Sequence, residues 1–590
     1  MGNGEWGKPI PHSPFPKFTC ATIEKYWQHN CFAMVKSKSK SKKFKKGQKQ
    51  SDKPVLSLKE QLAQKRQAQK QLQELIQVVS ISALVGAVLG LLLAAIADPK
   101  MAVAPILGIP CLALSYKYPR KAIWAFLIYM PFSGTVVYAL GGNALLQLAK
   151  DAFYIPALIG LVQQCKRKKQ PILVPKELIP TFSISLGLSL MTLVVVNGVM
   201  LTGKAEGQPF LQGILGLKVF LGYVPLIFCA HYLIENKKQL LFCGRLHLIL
   251  AITCCALSLV QYSMLKSGTC QGTDHLSGDA LFKASVEARC FVGGSLVYSP
   301  SQGMIRLPGT FVSPWHWGWF LISNSALTFA VAFSDPSPLW RIGGLAGMAI
   351  VFINAVICGQ RIALALVPVV TIILLVLTGQ LANLKRFIPI GVGLGVVIAI
   401  GIATNPQLIQ ERIESFQGRA EASPPQAFIE EQFHWAIRKQ KGILGRGLGG
   451  ATNSTRVFGG VALVETYYPK VLYEVGVLGT IVFLVFVTHL VILGFKSYRS
   501  VREKNLRSFG SSFWVFTLIV SYNTYWYPLD TDPVAVYYWF FAGVILVLPK
   551  IDKQEQEKAK LAALEAEKND PKLRKKRTKK EDKNPKIVTP

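Results

Sequence analysis

The amino-acid sequence predicts an all-α, polytopic transmembrane helical bundle of about 12–14 spans with a large extracytoplasmic loop. Three observations point there. Hydrophobic residues make up 51% of the 590, and the mean hydropathy is +0.34. They gather into long runs rather than amphipathic stripes, and an apolar run of about 18 or more residues is long enough to cross a bilayer. Between the runs, Lys and Arg collect in alternate gaps, the pattern followed by cytoplasmic loops.

Taken in order, residues 1–75 form a basic cytoplasmic tail. Residues 1–33 lack the basic region, apolar core and small-residue cleavage site of a signal peptide. Met34 opens MVKSKSKSKKFKKG, a basic start that predicts residues 1–33 to be untranslated, which mass spectrometry of the native N-terminus tests. Residues 55–75 read as a charged helix leading into the first span. Spans are expected near 76–97, 101–116, 122–140, 146–163, 178–201, 213–234 and 240–262, an N-terminal bundle over 76–262. A first extracytoplasmic loop covers 263–312. A second bundle, 313–403, holds spans near 314–334, 342–358, 362–379 and 387–403. The polar stretch 404–470 is the large extracytoplasmic loop, expected to be catalytic because loops of this length are commonly functional. Spans near 471–495, 511–527 and 534–549 form the C-terminal bundle 471–549, and 550–590 is a basic cytoplasmic tail, helical at first and then disordered.

Alternation from a cytoplasmic N-terminus places Lys117, Arg120 and Lys121, Lys166 to Lys169, Lys237, Lys238 and Arg245, Lys385 and Arg386, and Lys496 through Arg507 inside. Lys100, Lys150 and Lys204 are the exceptions outside. This sets both termini in the cytoplasm of a plasma-membrane protein.

The formal net charge of +34 is concentrated at the ends, with 27 of the 66 Lys and Arg in 36–70 and 550–590. Anionic membrane lipids are the expected partner of such tails. No recognition motif accompanies them, so nucleic acid is not expected. The eleven cysteines form no CxxC pair and no Cys/His spacing suited to a metal, so neither metal nor cofactor is expected. Cys270 and Cys290 fall in the first outside loop, where a disulfide is permitted; two free thiols are the alternative.

Three arginines stand on the outside face. Arg306 lies in RLPGTFVSPWHWGWF, Arg361 in NAVICGQRIALAL between apolar runs, and Arg446 in GILGRGLGG. An ionisable residue between apolar runs marks a functional site by default. The plainer readings are an arginine reaching to headgroups for Arg361, a loop ion pair or lipid phosphate for Arg306, and a solvated turn for Arg446. The fixed donor fork of guanidinium suits phosphate, so the trio points to a lipid-linked phosphate or pyrophosphate. Gly447 and its neighbours would let backbone amides approach the same anion.

The ordered set RLPGTFVSPWHWGWFL, CGQRIALAL, FHWAIRKQKGILGRGLGG and YPKVLYEVGVLG resembles the O-antigen ligase and polysaccharide polymerase superfamily over roughly residues 300–490, and the spans before it, including KDAFYIP, fit that layout. The resemblance implies a metal-independent glycosyltransferase that moves glycan from an undecaprenyl pyrophosphate carrier to an acceptor glycan outside the membrane, for exopolysaccharide, alongside other polysaccharide-export proteins. It matches Arg361 and Arg306 to the family's pyrophosphate-neutralising arginines. The family's histidine, about eleven residues before the turn glycine, is replaced: counting back from Gly476 gives Glu465. A carboxylate can serve as base. Glu465 is therefore the candidate base, with Tyr467 and Tyr468 lining the sugar or lipid path; a solvated or ion-paired Glu465 is the alternative. His434, on an amphipathic helix, and His316, between two tryptophans, are the other candidate bases, each also readable as a surface or interfacial residue.

Two rivals belong to other classes. A multi-pass solute or ion transporter would use the same spans and polar residues, although inverted repeats and matched broken helices are not evident in the sequence. A non-catalytic scaffold of an export complex would use the basic tails to recruit partners.

Overall fold

The computed structural model describes residues 58–96, 103–380 and 424–569, apart from short gaps at 143–145, 147–148, 174, 204–205, 282–283 and 301–302, with isolated positions between 381 and 423. The span expected at 387–403, most of the stretch 404–423 and most of both tails lie outside the described residues.

The chain falls into two compact units, Met1–Gln73 and Glu74–Pro590. Its helices are α1 (Leu58–Ile96), α2 (Val103–Lys117), α3 (Pro119–Tyr129), α4 (Ser133–Ala139), α5 (Asp151–Arg167), α6 (Ile179–Met191), α7 (Pro209–Leu221), α8 (Leu226–Leu233) and α9 (Lys237–Lys266). Then follow α10 (Pro314–Ser334), α11 (Pro338–Ile357), α12 (Arg361–Leu377), α13 (Pro425–Lys439), α14 (Tyr467–Ser500), α15 (Lys504–Tyr522) and α16 (Val534–Asn569). A two-stranded antiparallel hairpin, β1 (Val297–Ser299) and β2 (Met304–Arg306), lies in the loop before α10 and pairs Val297 with Arg306.

Among the described residues, seven helices are long and apolar enough to cross a membrane, and eight if the bent pair α7 and α8 counts as one span. The protein is thus a mostly helical, multi-pass membrane protein. Helix α10 is not one of the seven because Ser323, Asn324, Ser325 and Thr328 dilute its apolar run. It is nonetheless deeply enclosed: 18 of its 21 residues are buried, packed by α9, α11, α12 and α15. The polar side chains that lower its hydropathy bond back to the helix's own carbonyls, Ser323 to Trp319 at 2.8 Å and Asn324 to Phe320 at 2.9 Å. Buried donors satisfied in this way cost little, although Oδ1 of Asn324 is left without a partner, and small residues let neighbouring backbones approach.

Two expected spans are not simple helices. Residues 213–234 form α7 and α8, bent by 45° at a break that follows Leu221. Residues 178–201 start as α6 and continue through a π-helix, Thr192–Met200. That wider turn carries Asn197, which is 1% exposed and bonds to a loop more than 200 residues away. Helix α14 kinks at Gly476, whose φ of 70° only glycine adopts easily.

Cys270 and Cys290 are joined by a disulfide, with Cα atoms 5.6 Å apart, and close the loop that leads to the hairpin.

Candidate active site

Arg306 and Arg361 converge through a local device. Arg306 ends β2, and the next amide, Leu307 N, donates to the carbonyl of Cys358 at 3.1 Å. Cys358 lies in the tight turn between α11 and α12, where Gly359 has φ +75°. A Cβ on Gly359 would fall 2.9 Å from Cγ of Arg306, so the hairpin comes this close only against glycine. Two residues later Arg361 opens α12. The positive end of that helix dipole adds to two guanidinium charges, an arrangement that favours an anion.

Both arginines line a cavity of about 1130 Å³. Nε of Arg306 is buried without a hydrogen-bond partner, and its guanidinium lies over the Trp315 ring at 4.7 Å. Burial, and then the charge of Arg361, push the pKa of Arg306 down to about 10. It remains charged at neutral pH, held beside a like charge with a donor unused.

The same cavity is lined by His316 and Glu465. Nδ1 of His316 lies 2.5 Å from Oγ of Ser313. The backbone of Glu465 is fixed on both sides: its amide donates to Gln432 Oε1 at 3.2 Å, and its carbonyl accepts from Trp526 N at 3.2 Å. The hydroxyl pKa of Tyr527, another lining residue, is pushed up to about 12 by burial and then by the charges of Glu465 and Asp530.

The remaining candidates lie elsewhere. Arg446 gives its Nε to the carbonyl of Lys439 at 2.6 Å. The amides around it are occupied: Arg446 N bonds Tyr473 O, Gly447 N bonds Glu474 O, and Leu448 N bonds Oδ1 of Asn197 at 2.9 Å. Asn197 also donates to the Leu448 carbonyl at 3.0 Å, and Oε1 of Glu474 accepts from Ala451 N and Thr452 Oγ1. The glycine-rich turn is therefore clamped by α14 and the π-helix, and what it presents to the cavity is the segment after it, Ala451 to Phe458. Tyr467 and Tyr468 are packed in the bundle, Tyr468 donating to the carbonyl of Ser521, and neither lines the cavity. His434 is exposed on α13, 3.6 Å from Glu430.

Sequence reasoning passed over most of the cavity wall. Lys150 pairs with Asp532, and Lys218 pairs with Asp151 at 2.9 Å. Burial alone would raise the pKa of Asp532, but the charges of Lys150 and Lys218 outweigh it and hold the carboxyl below its ordinary value. Lys218, inside the apolar run GILGLKVFLGY, carried the same sequence signal as Arg361. The loop 523–533 gave no such signal, yet it supplies Trp526, Tyr527 and Asp532 to the wall. It is anchored by Lys470, almost fully buried, which pairs with Asp530. Trp526 and Tyr527 have φ of 56° and 24°, left-handed values that cost non-glycine residues roughly 1–3 kcal/mol each.

Among the described residues no group of His, Cys, Asp and Glu is placed to hold a metal ion. What the fold and cavity define is a multi-pass helical membrane protein with a pocket whose wall sets Arg306, Arg361, Lys150 and Lys218 beside Glu465, Asp530 and Asp532. No family model matches the chain, and no curated protein matches it.

Proposed function

We propose that this protein is a metal-independent membrane glycosyltransferase of the O-antigen ligase and polymerase kind, which transfers or polymerises glycan carried on undecaprenyl pyrophosphate. The observation that carries the reading is the pair Arg306 and Arg361, brought to one cavity wall with a buried guanidinium donor unused. In the reaction, an acceptor hydroxyl attacks the anomeric carbon of the carrier-linked sugar. The bond from that carbon to the pyrophosphate oxygen breaks, and the pyrophosphate leaves with the electron pair. Glu465 takes the hydroxyl proton, while Arg306 and Arg361 neutralise the departing charge, the kind of preorganised electrostatic help that contributes most to such transfers.

The expected 12–14 spans, both termini in the cytoplasm and a cavity opening outside the plasma membrane belong to the same reading. Its support is the placement of Lys and Arg in alternate loops, together with a disulfide between Cys270 and Cys290 in a loop assigned to the oxidising side.

The test is extracellular polymer from a deletion strain complemented with single variants. Arg306→Ala and Arg361→Ala should each cut output by roughly 100-fold or more, with Arg361→Lys restoring part of it. Glu465→Gln, which removes the base, should cost about 100-fold or more. Normal output from Arg361→Ala would sink the enzymatic reading in favour of a scaffold.

One observation favours a transporter as the second reading: the 45° break between α7 and α8, beside Lys218 in the cavity wall. Loss of solute uptake with unchanged polymer in the deletion strain would select it.

A further inference from the structure

We infer that Trp526 and Tyr527 form a binding platform for a sugar ring of the acceptor glycan. This rests on the glycosyltransferase reading and names the acceptor half of its site.

The loop between α15 and α16 carries two adjacent non-glycine residues with left-handed φ, Trp526 and Tyr527, and both line the cavity. A conformation this unfavourable persists only where surrounding contacts impose it. Here they do. Tyr467 N donates to Thr524 O at 2.7 Å, Trp526 N donates to Glu465 O at 3.2 Å, and Nε1 of Trp319 donates to Trp526 O at 3.2 Å. Asp530 N and Thr531 Oγ1 both reach the Tyr527 carbonyl at 3.2 Å. The Trp526 ring is stacked on Tyr525, centroids 5.2 Å apart, which in turn meets Phe428 edge-on. The two aromatic side chains are thereby fixed at the cavity by a backbone that the chain would not adopt unaided.

A rigid aromatic surface fits two kinds of ligand, an isoprenoid tail or the C–H face of a sugar. The neighbours decide between them. Asn453, Ser454, Arg456, Thr531 and Glu465 line the cavity with the two rings. Nδ2 of Asn453 lies 3.5 Å from the Tyr527 hydroxyl, which is itself close enough to Glu465 to feel its charge. An aliphatic chain would strip water from these groups and give nothing back, whereas sugar hydroxyls would bond to them while the ring lies on the aromatic face. The Trp526 amide is bonded to the Glu465 carbonyl and both residues line the cavity, so a sugar on this platform shares the cavity with the candidate base, as an acceptor must.

The experiment uses the full chain in lipid nanodiscs and two probes: oligosaccharides released by mild acid from the lipid-carrier pool of the producing cells, followed by saturation-transfer NMR, and farnesyl pyrophosphate, followed by calorimetry. Trp526→Leu should weaken oligosaccharide binding roughly tenfold and leave farnesyl pyrophosphate binding within about twofold. Trp526→Phe, which keeps a ring on the same backbone, should retain part of the oligosaccharide affinity. Unchanged oligosaccharide binding in Trp526→Leu overturns the platform, as does equal loss in the Leu and Phe variants, parallel loss of farnesyl pyrophosphate, or a wild-type chain that binds no oligosaccharide. Failure of the broader reading looks different: oligosaccharide binding that depends on Trp526, with farnesyl pyrophosphate binding absent or indifferent to Arg306→Ala and Arg361→Ala.

Discussion

Asp532 is held in the cavity wall as a charged group by lysines from two distant parts of the chain, Lys150 and Lys218. Removing one partner of an enclosed pair leaves the other charge uncompensated, which typically costs about 3–5 kcal/mol. Asp532→Asn should therefore lower the unfolding temperature of the detergent-solubilised protein strongly, and the double change Asp532→Asn with Lys150→Met should recover part of the loss. The pH dependence has a definite sign. Because the folded-state pKa lies below the ordinary 3.8, the stabilisation is complete above that value and is lost as the pH falls through the lower folded one. A melting temperature that does not fall as the pH is taken below about 3.8 would remove Asp532 from this role. The charges were only partly legible. Arg361 stood out because apolar runs flank it, and Lys218 could have been read the same way. The pairing of Lys150 with Asp532 could not, because their sequence separation of 382 is closed by tertiary packing and no periodicity links them.

At the scale of elements, long apolar helices were legible because crossing a bilayer demands an uninterrupted run, and most described helices begin within a few residues of where the hydropathy rises. Departures from simple helix were legible only in part: Gly222 and Pro225 mark the break between α7 and α8, whereas the π-helix and the kink at Gly476 meet partners far away in the sequence. The π-helix over Thr192–Met200 is tied by Asn197 to Leu448, and the glycine-rich turn after Lys441 packs against α14 rather than offering free amides. Glycine at 359 was equally silent in the sequence, although it sets the approach of β2 to the start of α12. Gly359→Ala places a side chain at φ +75° and against Arg306 Cγ, so it should cost more than about 1 kcal/mol and weaken farnesyl pyrophosphate binding by displacing Arg306 from Arg361. Gly343, on α11 with ordinary φ and only Leu248 within reach of an added Cβ, is the control: Gly343→Ala should leave that affinity unchanged. Equal affinities in the two variants would mean that the Gly359 turn does not set the spacing of the arginines.

For the molecule as a whole, the decisive question is which side of the membrane the cavity faces, because the proposed function requires it to open outside. The basic residues in alternate gaps and the disulfide argue for the same orientation on independent grounds, one from insertion and the other from redox chemistry. The cysteines bridge a sequence separation of 20, and a loop of that size contributes about 3 kcal/mol by restricting the unfolded chain. They also report sidedness. When intact cells are treated with a membrane-impermeant reductant, then denatured and alkylated with a heavy maleimide, the chain should gain two labels, at Cys270 and Cys290, over untreated cells denatured and alkylated alike. If the gain requires permeabilised cells, the loop faces the cytoplasm and the proposed orientation fails. If no gain appears even after full reduction in denaturant, the two thiols are free in the cell, and the orientation then rests on charge alone.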